Sequence, residues 1–185
     1  MKLLLIHIPR TGGNSIQLNG HVDVVCFEHM FAKNIKDLSE YFSFAIVRNP
    51  YDRFLSSYHF YRDAYQNKRN IKNEIKKHLT FKDFVLNFKD FEYKNDHQFT
   101  PQWEFVLDEN GKDIVNYIGG FEDLWWVWEK VVFLTSDRTS FESIPSLPVK
   151  NKTEHNEWKE EYTDEMKEIV YNLFEKDFEV FCYEK

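Results

Sequence analysis

Lys2-Leu3-Leu4-Leu5-Ile6-His7-Ile8-Pro9-Arg10-Thr11-Gly12-Gly13-Asn14-Ser15-Ile16 decides the fold class. Its apolar start is far shorter than the roughly 20 residues a membrane helix needs, and reads as a buried strand over residues 2–8. Pro9 to Gly13 break the run into a loop, and a helix begins near Asn14. A strand feeding a glycine-bearing loop and a helix start aims backbone N–H groups at an anion. Gly12 and Gly13 permit close backbone approach. Arg10 supplies charge, and Thr11, Asn14 and Ser15 supply side-chain hydrogen bonds. The GxxxxGK[ST] pattern is absent and the loop has no lysine followed by Ser or Thr to hold magnesium, which disfavours an NTPase. Read alone, the segment is equally a tight structural turn.

The same logic recurs downstream. Residues 42–47 form an apolar strand that delivers Arg48 at its carboxyl end. Asn49 suits an N-cap and Pro50 a first helical turn. Tyr51, Phe54, Leu55, Tyr58, Tyr61 and Tyr65 follow at helical spacing, so residues 50–66 are an amphipathic helix. That helix brings Ser56 back toward the strand ends two turns later. Ligands of open α/β sheets bind outside the carboxyl ends of the strands, so both anion sites are expected on one edge. Surface salt bridges are the simpler alternative for Arg48 and Arg53.

The remaining chain alternates in kind. Residues 22–27 read as a second strand and 35–41 as a short helix. Residues 66–78 are a polar stretch whose Lys68 to Lys77 patch is a solvated face. Thr80 caps a helix with Phe81, Phe84, Val85 and Phe88 on one side. Residues 103–108 and 113–118 read as two strands joined through Asp108-Glu109-Asn110-Gly111, with Asn-Gly as the turn signal. Gly119-Gly120 ends the second. Residues 121–132 form a tryptophan-rich helix, 136–157 a long loop, and Thr163 caps a last helix over 164–177. Strands alternating with helices imply an α/β fold. It is expected to be P-loop-like, a three-layer α/β/α arrangement with a central mostly parallel sheet, a small antiparallel hairpin, and residues 1–185 as a single domain.

Composition narrows the function. The chain has 185 residues, with 24 Lys+Arg against 31 Asp+Glu, a net charge of −7. An acidic chain is a poor general binder of nucleic acid or anionic membrane, yet a few placed cations suffice for one phosphate. The 42% hydrophobic content excludes disorder. Cys26 and Cys182 cannot form a disulfide framework and read as buried free thiols. With no cleavage site after the first apolar run, a soluble cytoplasmic protein is expected. No metal-ligand spacing is evident. Of only 6 glycines, four stand in the pairs Gly12-Gly13 and Gly119-Gly120.

The two anion segments together resemble the sulfotransferases that use 3′-phosphoadenosine 5′-phosphosulfate (PAPS), most closely the heparan and chondroitin branch that acts on carbohydrates. Residues 9–15 are similar to the family's Pro-Lys-Thr-Gly-Gly-Thr-Ser loop for the 5′-phosphosulfate. Residues 48–58 are similar to its Arg-x-Pro…Arg-x-x-Ser-x-Tyr segment for the 3′-phosphate. Gly120-Phe121-Glu122-Asp123-Leu124 resembles its Phe-Glu-x-Leu segment, and Lys150-Asn151-Lys152 sits where a cofactor-covering loop is expected. The ending Tyr162-Thr163…Asp177-Phe178…Phe181-Cys182-Tyr183 resembles its C-terminal helix and tail. Arg10 replaces the family lysine and Asn14 the threonine after the glycines; Arg and Lys are not interchangeable, which bears on rate more than on the donor.

The resemblance implies a transfer of the sulfuryl group from PAPS to a hydroxyl of an acceptor, a carbohydrate first of all, leaving 3′,5′-ADP (PAP). It places a histidine base after the second strand, where His29 stands; Glu28 is the competing base and His21 a weaker one, while His7 is buried in the first strand. His97, Gln98 and Trp103 are candidates for lining the acceptor site. Two other classes remain in view, an atypical P-loop kinase of small molecules and a non-catalytic nucleotide- or glycan-binding module. Oligomeric state is open.

Overall fold

The computed structural model describes residues 2–20, 22–66, 80–135, 146–148 and 157–185. His21, the Lys68 to Lys77 patch and Lys150, Asn151 and Lys152 lie outside the described residues. In chain order the elements are β1 (Lys2–Ile6), α1 (Gly13–Gln17), β2 (Val24–Cys26), β3 (Tyr41–Val47), α2 (Pro50–Gln66), α3 (Phe81–Leu86), α4 (Trp103–Val106), β4 (Tyr117–Gly120), α5 (Leu124–Thr135), α6 (Trp158–Glu161) and α7 (Asp164–Val180). They fall into two compact units, Met1–Arg48 with Gln102–Lys152, and Asn49–Pro101 with Thr153–Lys185.

The first unit holds the sheet. Its strands are all parallel, in the order β2-β1-β3-β4. Leu3, Leu4, Leu5 and Ile6 are all buried, as a central parallel strand covered on both faces requires. Leu3, Leu5, Phe44 and Ile46 pack with Ile16 of α1 and with Val127, Trp128, Val131 and Val132 of α5. Burying one such Leu or Phe contributes about 1.5–3 kcal/mol. Of the tryptophans in 125–128, Trp128 is fully buried and Trp125 and Trp126 are exposed.

The α/β class with a parallel sheet stands as expected, and the hairpin does not. Trp103–Val106 is a helical turn, and the strand-like run shrinks to one antiparallel bridge, Leu107 to Asp113. Phe105, Val106 and Leu107 are buried in succession, which suits a turn of helix leading into the core better than an alternating strand. The Asn-Gly signal still makes a turn: the Asp108 carboxylate accepts from the N–H groups of Asn110 and Lys112, both at 2.9 Å. Those bonds hold its carboxyl below the usual carboxylate range. Strand β4 instead joins β3 in parallel. Gly119 there lets α5 approach, since a Cβ would lie 2.5 Å from the Val127 methyls.

Two smaller expectations also change. The helix expected over 35–41 is a single short 3₁₀ turn, Leu38–Glu40, entered from Asp37 at φ 55°, with another 3₁₀ turn upstream at Ala32–Asn34. The cysteines are not both buried. Cys26 is half-buried at the end of β2, where burial raises its thiol pKa, and Cys182 is exposed.

The second unit is helical. Its core is a cluster of rings from α2, α3, α7 and the segments between them, including Tyr51, Phe54, Tyr58, Phe84, Phe99 and Phe174. Thr80 caps α3 in a capping box with Asp83, and the Thr163 hydroxyl caps α7 by accepting from the Met166 N–H. Helix α7 is kinked at Phe174 and runs to Val180, three residues past the expected end. Arg53 is buried and not a surface cation: 2% exposed, it donates to the carbonyls of Gln98 (3.1 Å) and Thr100 (2.9 Å). Burial raises the phenol pKa of Tyr51, Tyr58, Tyr61 and Tyr162. Among the described residues no helix is long and apolar enough to cross a membrane.

Candidate active site

Strand order places the site. The chain leaves β1 for β2 on one side and then crosses back to β3 on the other, so the carboxyl ends of β1 and β3 form the topological switch point of the sheet. Residues 7–13 follow β1, residues 27–30 follow β2, and Arg48 follows β3 directly. Phe121 follows β4. All four strand ends therefore bring residues to one edge of the first unit.

The loop after β1 is tightly folded. The Thr11 hydroxyl is buried and donates to the Ile8 carbonyl at 2.8 Å. Arg10 takes φ 68° and Gly12 φ 81°, both left-handed, and only glycine adopts that region without strain. The Ser15 N–H bonds the Gly12 carbonyl at 3.0 Å and starts α1. The two glycines admit close neighbours from within the protein. A Cβ on Gly12 would meet Leu124 at 2.9 Å and Phe121 at 3.0 Å, and one on Gly13 would sit 2.2 Å from the His7 ring. Helix α1 spans five residues, so its dipole is small. What it offers an anion is the N–H groups of Gly13 and Asn14, which open the first turn and have no intrahelical acceptor. Asn14 is exposed and Ser15 buried.

Arg48 is held from several sides. Its side chain is 8% exposed, Nη1 donates to the Arg10 carbonyl at 3.0 Å, and its guanidinium lies 4.2 Å from the centre of the Phe121 ring. Its backbone is clamped by Gln102: the Arg48 N–H donates to Gln102 Oε1 at 2.9 Å, and Gln102 Nε2 donates to the Arg48 carbonyl at 2.8 Å. Gln102 is fully buried.

His29 occupies a β-turn closed by the Met30 N–H on the Phe27 carbonyl at 3.2 Å, with φ 54°. Its Nδ1 lies 3.0 Å from the His7 carbonyl, and the two imidazole rings are 4.8 Å apart, tilted by 43°. Phe27, Glu28 and Met30 in the same turn are exposed. The structure thus brings Arg10, Thr11, Gly12, Gly13, Asn14, Ser15, His29 and Arg48 to the ends of neighbouring strands, with Glu28 beside them.

Trp103 opens α4, half-buried. Ser56, His97 and Gln98 belong to the second unit. Ser56 is buried in α2. His97 is exposed and paired with Asp96 at 3.0 Å, and Gln98 is buried beside it. Sequence reasoning missed Gln102, Phe121 as a partner of Arg48, and the contact of His7 with His29. A glutamine after Thr100-Pro101 carries no visible signal of a clamp. For His7, its place between an apolar strand and the glycine loop was the available hint. Among the described residues no group of three or more His, Cys, Asp or Glu side chains has the arrangement of a metal site.

A parallel sheet whose switch point gathers first-turn N–H groups, a buried arginine and a histidine has the arrangement of an α/β ligand site. The model of the sulfotransferase family matches residues 7–184, and the chain belongs to that family: it is a sulfotransferase, moving a sulfuryl group to a hydroxyl-bearing acceptor. No curated protein and no solved structure matches the chain.

Proposed function

We propose that the chain transfers the sulfuryl group of PAPS to a carbohydrate hydroxyl, with His29 as general base, and that it works as one sulfotransferase-like domain. The observation that carries the reading is the meeting of Arg10, the glycine loop, His29 and Arg48 at the ends of β1, β2 and β3. The donor set suits a phosphosulfate: first-turn N–H groups, the Arg10 guanidinium and the Ser15 hydroxyl all donate to anionic oxygens. Arg48 is the residue for a second phosphate, the role the resemblance gives it. The resemblance also assigns Lys150, Asn151 and Lys152 to the covering loop.

PAPS, when bound, supplies the sulfuryl group and a phosphate leaving group. The chain's own residues do the rest. His29 takes the proton from the acceptor hydroxyl as its oxygen bonds to sulfur. Arg10 and the N–H groups of Gly13 and Asn14 stabilise the negative charge that grows on the leaving oxygen as the old S–O bond breaks. Such stabilisation acts without reorganisation because the loop is already folded, held by Thr11 on Ile8 and by Arg48 on Arg10. Exposed Phe27 and Met30 beside His29 offer apolar surface for the CH face of a sugar ring, which supports a carbohydrate acceptor.

Transfer of labelled sulfate from PAPS to a panel of neutral and anionic glycans tests the reading. His29→Ala is expected to lower kcat by about 10²–10⁴-fold with little change in PAP affinity. Wild-type turnover in His29→Ala would remove His29 as the base, and transfer only to phenols would remove the carbohydrate.

A further inference from the structure

We infer that His7 is a positioning residue for the base: its carbonyl fixes the proton of neutral His29 on Nδ1, leaving Nε2 as the basic atom, while its ring couples that base to the glycine loop. The inference rests on the reading of His29 as general base and adds which nitrogen acts and what holds it.

A carbonyl oxygen can only accept, so the 3.0 Å contact requires an N–H on His29 Nδ1. A neutral imidazole carries one N–H, and the other nitrogen then holds the lone pair. Free histidine in water prefers the opposite arrangement, with the proton on Nε2. The protein thus inverts the intrinsic preference and puts the lone pair on Nε2.

The inversion needs both partners to be rigid, and both are. The His7 carbonyl follows directly after Ile6, the last residue of the central strand. His29 sits in a left-handed conformation (φ 54°) inside a hydrogen-bonded turn, an unfavourable backbone state for a non-glycine residue. That conformation is what turns its ring back toward His7.

The His7 ring supplies the coupling. It is buried, stands 4.8 Å from the His29 ring, and fills the space where Gly13 would otherwise carry a Cβ, 2.2 Å away. The ring therefore spans from the loop that holds the donor to the residue that takes the acceptor's proton. Displacing it shifts both at once, and small misplacements of reacting groups cost large factors in rate.

The test is ¹⁵N NMR of ligand-free protein with labelled histidine, at a pH where His29 is neutral, joined to turnover of His7→Ala and His7→Phe. In the wild type the N–H resonance of His29 is expected at Nδ1 and the lone-pair resonance at Nε2. His7→Ala keeps the backbone carbonyl, so Nδ1 is expected to stay protonated, while loss of the ring is expected to lower kcat roughly tenfold to a hundredfold. His7→Phe keeps a ring in place and is expected to restore kcat to near wild type. A wild-type His29 protonated on Nε2 overturns the inference, and that single measurement decides even if His7→Ala fails to fold. Unchanged kcat in His7→Ala overturns it as well. So does a His7→Phe that loses turnover with the tautomer intact, since His7 would then act through its own nitrogens. Full activity in His29→Ala would fail the base reading instead and leave the tautomer result standing.

Discussion

At the sheet edge, Arg10, Gly12 and His29 are all in left-handed backbone conformations; in the helical unit the one described residue of that kind is Cys182, past the end of α7. The helical unit is held instead by rings. Phe54 alone stands 5.0 to 6.4 Å from Phe81, Phe84, Phe88, Phe99 and Phe174, mostly tilted or edge-on, the favourable geometries for aromatic pairs. One unit gathers polar groups in costly conformations and the other saturates its contacts. Strain of that kind persists only where surrounding structure over-determines it, and it clusters at sites of chemistry. The difference supports the proposal that the sheet edge carries chemistry, while the rings hold the helical unit together.

The largest stability effect belongs to the ring cluster. Phe54→Ala is expected to cost about 3–5 kcal/mol, read by chemical denaturation; a loss below 1 kcal/mol would mean the cluster is not the main support of its unit. The alkaline limb of stability separates the units next. Tyr51, Tyr58, Tyr61 and Tyr162 have raised pKa values in the fold, all in the helical unit. Above about pH 10 they ionise in the unfolded chain while staying protonated in the native one, so the unfolded state binds fewer protons. Stability is therefore full below pH 10 and falls as pH rises beyond it. Flat stability to pH 11.5 would contradict that burial.

Gln102→Ala probes the sheet edge. It removes both bonds to the Arg48 backbone and is expected to cost about 2–3 kcal/mol. PAP affinity should fall with it, and Gln102→Glu should restore only the bond from the Arg48 N–H. Intact PAP affinity in Gln102→Ala would detach the clamp from the site. The smallest effect is Thr80→Ala, which breaks the capping box of α3 and should cost about 1 kcal/mol without touching turnover.

The same contrast governs what the sequence revealed. Helix α2 was legible because Tyr51, Phe54, Leu55, Tyr58 and Tyr61 repeat at helical spacing, and Thr80 and Thr163 announced their helices by capping chemistry. The loop at Pro9 to Gly13 was legible because a strand, two glycines and an arginine stand in order. What stayed hidden was contact across the chain. Gln102 reaches Arg48 from 54 positions away, His7 meets His29 across 22, and neither pairing leaves a local pattern. The hairpin failed for a related reason: Asn-Gly specified a turn, while the burial of Phe105, Val106 and Leu107 in succession decided against two strands.

We propose that the sheet edge binds the bisphosphate nucleotide through Arg10 and Arg48. Thermal stabilisation of the whole chain by 3′,5′-ADP, against ATP with Mg²⁺, tests it most directly. At 100 times its Kd the bisphosphate should add about 2.7 kcal/mol to the stability of the wild type, with no such gain in Arg48→Ala and little from ATP–Mg²⁺. Stabilisation by ATP–Mg²⁺ alone, or equal stabilisation of wild type and Arg48→Ala by the bisphosphate, would contradict it.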